Sequence, residues 1–383
     1  MKITNMNRFG LFWLMVILLS PGLSYAQWIE IDDLHVEREK NASNENQVVI
    51  RYSIKSSSLS ENNPAYVFVR YCLKGDKEWN LLKKDQIAGN GLGIISKAGS
   101  HKVTIKDLDL NQIDLSNLEI SIRAMEVVRI PGGEFELRAV PGGGHHETLT
   151  EAGTRMVSTF YISKYETTLS MYTDFLNEVG GSRERWSPAM SHQNTCGILR
   201  TGTAPHFSYQ AMAGRENHPV TSVSWFSAKA FLNWCGLRLP SEAEWEKATV
   251  GGLYLDGDKT KKIQNPLPDR TYAWGNQDPN TGSIFRCNMD GDDDGYAYTA
   301  PVGSFPLDKS PYGVYDLAGN VAEWTLDFYT NRFLGDNGYR ILRGGSWVAF
   351  PEGVDGISQA TSQPFKASTM VGFRGVAEGE SEH

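Results

Sequence analysis

Cysteine is scarce: the 383-residue chain has four, at positions 72, 196, 235 and 287. None belongs to a CxxC pair and none follows Cys287, which excludes a zinc ribbon, a thioredoxin-type redox motif and any thiolate site in the last quarter of the chain. Cys196 and Cys287 are the two that could pair in an oxidising compartment. Cys235, behind Trp234 in an apolar stretch, reads as a small buried hydrophobe. Histidine is nearly as rare. The only adjacent pair, His145-His146, sits in a glycine-rich loop without a carboxylate at facial-triad spacing and reads as exposed loop. His192, His206 and His218 are scattered, and His218, before Pro219, reads as a structural turn residue. Basic charge is also short, with 37 Lys and Arg against 45 Asp and Glu and a net charge of −8. No basic patch or arginine-rich run offsets it, so nucleic acid is excluded as a partner and anionic membrane surfaces are disfavoured. No repeat of twenty to fifty residues is present.

Long apolar runs are limited to Phe9–Leu19, too short to span a bilayer comfortably. Lys2 and Arg8 precede it, and Pro21-Gly22 and Ser24-x-Ala26 follow, so residues 1–26 are expected to be a cleaved signal peptide, with an uncleaved anchor as the alternative. Loss of Lys2 and Arg8 takes the formal charge from −8 to −10, because the segment holds no acid. The mature chain is therefore expected to be exported, to the periplasm, cell surface or extracellular space, with no membrane insertion after cleavage.

What is abundant is glycine, 38 residues, and aromatic side chains at 11%, a composition that favours loops over a helical bundle. Residues 27–125 alternate as short strands. In Val48-Val-Ile-Arg-Tyr-Ser-Ile54 the apolar face is Val48, Ile50, Tyr52 and Ile54. Ala65–Cys72, His101–Ile105 and Leu118–Ala124 repeat the pattern, and an immunoglobulin-like β-sandwich is predicted. Beyond it, helical spacing appears over Ser170–Val179, Ser227–Trp234 and Glu242–Ala248, the last opened by a capping box of Ser241 and Glu244. Six of the ten tryptophans fall between Trp225 and Trp347, which places the second core there.

Two stretches could carry chemistry. Asp290-Gly-Asp292-Asp-Asp294-Gly295 gathers hard oxygens around a glycine turn, the first half of a calcium loop, but Pro301 stands where an EF-hand needs its bidentate Glu. The second runs from Pro311 through Gly319-Asn-Val321-Ala-Glu323-Trp324 to Arg343-Gly-Gly-Ser346-Trp347. Glu323, beside a tryptophan, needs a cation, an arginine or several N–H donors as partner.

With Ile130-Pro-Gly-Gly-Glu-Phe135, Phe160–Thr168, His218–Trp225, Arg238–Glu246, Tyr272–Asn276 and Gly372-Phe-Arg374, these stretches resemble the formylglycine-generating enzyme, or sulfatase-modifying factor, family in order over residues 126–377. The resemblance implies a loop-rich variant of the C-type lectin fold, giving an α+β chain overall with an acidic tail at 378–383. It also implies two calcium ions, one at Asn288, Met289, Asp294 and Tyr296, the other at Asp316, Gly319, Val321 and Glu323, with Met289, Tyr296, Gly319 and Val321 contributing carbonyls. Copper is not expected. The family's two copper-binding cysteines correspond to Ala349 and Val354, counted from Ser346, and neither side chain can bind copper(I). The expected function is a calcium-stabilised binding or scaffolding module for a protein, peptide or glycan. Its face would comprise Ser346, Trp347, Phe350, Glu352 and Asp355. A divergent metal-dependent oxidoreductase and a diversified receptor-type binder are the alternatives.

Overall fold

The computed structural model describes residues 28–138, 152–179, 185–331 and 335–379, apart from positions 57, 77, 107 and 259. The expected signal peptide, His145-His146 and residues 380–383 of the tail lie outside the described residues. The longer elements are numbered in chain order: β1 (Ile31–Lys40), β2 (Asn46–Ile54), β3 (Ala65–Leu73), β4 (Gly99–Ile105), β5 (Leu118–Ile130), β6 (Gly133–Leu137), β7 (Gly153–Val157), β8 (Phe160–Ser163), α1 (Leu169–Val179), α2 (Trp225–Cys235), α3 (Glu242–Val250), β9 (Ala322–Asn331), β10 (Gly335–Arg343), β11 (Gln359–Ser362), β12 (Val371–Gly372) and β13 (Val376–Glu378).

Two antiparallel sheets face each other in the N-terminal part. One runs β1-β2-β4 with an edge strand at Ile87–Ala88. The other contains β3 and β5 paired from Ala65 opposite Glu126 to Leu73 opposite Leu118. The alternation read in the sequence sets the core. Val48, Ile50, Tyr52 and Ile54 of β2 are all buried and share one cluster with Ala65, Val67 and Val69 of β3.

β5 does not stop where the composition changes near residue 125. Its last four residues, Val127 to Ile130, pair with β8, and β8 pairs with β13, so one sheet runs through both halves of the chain. The second face of β3 is equally committed. Phe68 packs edge-on against Trp234 of α2 at 5.3 Å, and Trp28 meets both rings. Arg70 pairs with Glu178 of α1 and donates to the Trp234 carbonyl at 3.0 Å, while the Trp234 indole donates to Glu178. Alternate residues of one strand therefore serve two cores, the sandwich and the helical layer.

The three helices appear where the spacing predicts them, each slightly longer. Ser224 caps α2, and Ser241 and Glu244 form the expected box on α3. A four-stranded sheet, β11-β10-β9-β12, with β9 and β12 parallel, closes the C-terminal half. All four cysteines are buried and free, so Cys196 and Cys287 do not pair in this structure.

Candidate functional site

Three loops converge beside this last sheet: residues 286–303, the turn 315–323 and the loop 344–358. They are tied by backbone. Asn320 N–H donates to the Asn288 carbonyl at 2.8 Å, Gly319 N–H to Gly344, Trp347 N–H to Asn320 and Asp290 N–H to Ala349. Gly319, at φ 73°, makes the closest approach possible, since a Cβ there would lie 1.9 Å from the Asn288 oxygen.

In the first expected ion site, Asn288 is buried and its amide nitrogen donates to the Tyr298 carbonyl at 2.9 Å and to Asn320 Oδ1 at 3.1 Å. Its Oδ1 has no hydrogen-bond partner among the described residues. The Asp294 carboxylate accepts from Met289 N–H at 3.3 Å and Tyr296 N–H at 2.9 Å, which draws it toward the two residues whose carbonyls complete the expected set. Burial raises its pKa, and Asp292 and Asp293 add repulsion. Asp290, Asp292 and Asp293 point to solvent. An orphaned amide oxygen and a carboxylate short of counter-charge fit a hard cation, which takes six or more oxygens, several from backbone or water.

The second expected set does not fit. Glu323 is almost wholly buried, and its carboxylate accepts four times: from Arg374 Nε at 2.9 and 2.8 Å, from Arg374 Nη2 at 2.7 Å and from the Trp245 indole at 2.8 Å. Those contacts use its lone-pair positions. The Asp316 carboxylate accepts from Gly303 N–H at 2.6 Å, and burial pushes its pKa up to about 7. Two acids that sequence reasoning missed lie in the same interior. Glu166 accepts from Asn320 Nδ2 at 2.7 Å and Val321 N–H at 3.2 Å, and Asp308 accepts from Ala318 N–H at 3.3 Å. Burial holds both well above the usual carboxylate range, and repulsion by Asp316 adds to it. Arg374 and Glu166 lie within the family stretches Gly372-Phe-Arg374 and Phe160–Thr168, but nothing local to either names its distant partner.

The loop 344–358 is closed by internal hydrogen bonds. Arg343, fully buried, donates to the carbonyls of Gly356 at 2.7 Å and Ile357 at 3.1 Å while pairing with Glu242 and Glu246. Of the expected binding face, only Phe350 and Glu352 are exposed, Phe350 at 65%. Ser346 is buried. Trp347 is half-buried, donating to the Thr369 carbonyl and lying 5.1 Å from the Tyr298 ring. The Asp355 carboxylate is not a rim group, because it caps a turn by accepting from Ile357 and Ser358 N–H. Ala349 and Val354 pack in an apolar cluster with Tyr272, Cys287, Met289, Ala318 and Trp274. Burial raises the Cys287 thiol pKa far above its usual value, which keeps it protonated and a poor ligand.

His218 is buried against Thr299, and burial with the nearby Arg215 lowers its pKa to about 3, so it is neutral. Among the described residues, no three His, Cys, Asp or Glu side chains converge as a ready metal cluster.

The profile of the family described as "Sulfatase-modifying factor enzyme 1-like domain" matches residues 114–378, well over half the chain. The chain belongs to this family. The chain is 29% identical over 291 residues to the formylglycine-generating enzyme of Streptomyces coelicolor, covering 64% of this chain and 87% of that protein. A protein named inactive C-alpha-formylglycine-generating enzyme 2, of Bos taurus, is 36% identical over 165 residues, 41% of this chain and 49% of the relative. A hercynine oxygenase of Mycolicibacterium smegmatis is 30% identical over 254 residues, 58% of this chain and 54% of the relative. The relatives thus carry two named activities and one named inactive protein, and the match begins at residue 114, in the turn just before β5, so that it takes in the whole shared strand.

Proposed function

We propose that this member of the family is an exported, non-catalytic binding or scaffolding module, with an immunoglobulin-like sandwich fused to a calcium-stabilised sulfatase-modifying-factor-like domain. The observation that carries this reading is the apolar packing of Ala349 and Val354. Where the formylglycine-generating resemblance calls for two thiolates, this chain has a methyl group and a branched hydrocarbon, and the one thiol in the cluster, on Cys287, is buried and protonated. A calcium ion at Asn288, Met289, Asp294 and Tyr296 would hold the acidic loop against the turn at Gly319. No reaction step is assigned to it. The ligand would be a protein or peptide, with a glycan as the other candidate, docking an apolar group on Phe350 beside Glu352.

Metal analysis of mature protein purified from its native compartment tests the reading. Calcium without copper or iron is the expected result. Stoichiometric copper or iron, with oxygen consumption on any thiol substrate, would overturn it. The likeness to a hercynine oxygenase keeps a divergent oxidoreductase as the second reading, and iron content is the measurement that would favour it.

A further inference from the structure

Glu323 itself has a cation already, although Glu166, Asp308 and Asp316 share the interior and Asp308 Oδ1 has no hydrogen-bond partner among the described residues. Arg374 is fully buried, and its guanidinium reaches every wall of the space: Ser163 and Lys164 carbonyls through Nη1 at 3.1 and 3.4 Å, Tyr315 and Asp316 carbonyls through Nη2 at 2.9 and 2.8 Å, and Glu323 through Nε and Nη2. Four backbone carbonyls and one carboxylate around a single positive group is the donor list a calcium ion would ask for, delivered here to a planar fork. Asp316 is used twice over, by its carbonyl on Arg374 and by its carboxylate on Gly303 N–H. A divalent ion placed against Glu323 would meet a carboxylate whose acceptor positions are filled, next to a fixed positive charge.

We propose that Arg374 acts as a built-in cation in the space around Asp316 and Glu323, so that this chain holds one divalent ion, at Asn288 and Asp294, and none at Glu323. The first half rests on the calcium reading above; the second stands on the Arg374 geometry alone. The arginine ties the strand end at Ser163-Lys164, the turn at Tyr315-Asp316 and β9 into one body without metal. Removing calcium therefore loosens the acidic loop and leaves the Glu323 turn intact.

The test uses the full mature chain, equilibrated with calcium, freed of unbound ion and analysed by plasma mass spectrometry. About one calcium per chain is expected, absent in Asp294→Asn and retained in Glu323→Gln. About two per chain in the wild type, a count that needs no variant, overturns the proposal. So does loss of an ion in Glu323→Gln. No calcium in any form defeats the Asn288 and Asp294 reading, and where calcium binds the Arg374 half is also read by melting. Glu323→Gln should lower Tm by on the order of 5–10 °C, equally with calcium and with chelator. A loss seen only in calcium would mean that the carboxylate held an ion, and would overturn it. Should Glu323→Gln fail to fold, the wild-type calcium count decides by itself.

Discussion

Glu323 and Asn288 lie on either side of the same backbone contact, yet they differ in how their oxygens are satisfied. Glu323 is closed by Arg374 and Trp245. Breaking that pair leaves a buried charge without a partner, so Arg374→Met should cost about 3–5 kcal/mol in denaturant unfolding. Asn288 keeps an orphaned Oδ1, and Asn288→Ala is expected to abolish the calcium-dependent part of Tm, in addition to a metal-independent loss from the two buried hydrogen bonds its Nδ2 makes. His218 sets a pH dependence. Its pKa falls from 6.5 unfolded to about 3 folded, so the unfolded chain binds more protons between those values, and stability present above about 6.5 is lost as pH falls toward 3. His218→Gln should flatten that slope in urea titrations run at stepped pH.

At the scale of elements, α3 shows local and long-range signals agreeing. Ser241 accepts from Glu244 N–H and Glu244 returns to Ser241 N–H, so the start of the helix is written within four residues. Ser241→Ala should cost about 1 kcal/mol. The face of the same helix is decided elsewhere. Glu242 and Glu246 turn inward because Arg343, a hundred residues on, is buried between them and holds the loop end at Gly356. Periodicity could place the helix but not explain three buried acids on it, two of them paired with Arg343. In the loop 344–358 the inward role of Asp355 was not legible, because turn-capping depends on where the N–H groups of Ile357 and Ser358 point.

The whole molecule joins two parts that the composition separates. A spacer-like sandwich would melt on its own. Here β5 is common to both sheet regions, Phe68 and Arg70 are buried against α1 and α2, and Trp28 packs half-buried beside them. Calorimetry of the mature chain should therefore give one cooperative transition, and two separated transitions would show that the shared strand does not couple the halves. Arg70→Met should lower that single transition rather than shift one part of it.

The sequence by itself determined the strand faces of β2, the three helices of the C-terminal half with the capping box of α3, and the family. Each of these is written in neighbouring residues through period, capping chemistry or ordered landmarks. Tertiary structure decided which cation Glu323 meets, which acids gather with it and where the sandwich ends. Those outcomes depend on Arg374 reaching Glu323 across fifty-one residues and on one thirteen-residue strand pairing with different partners along its length. Local sequence carries no record of such distances, because burial and charge pairing are set by whichever group the fold brings nearest.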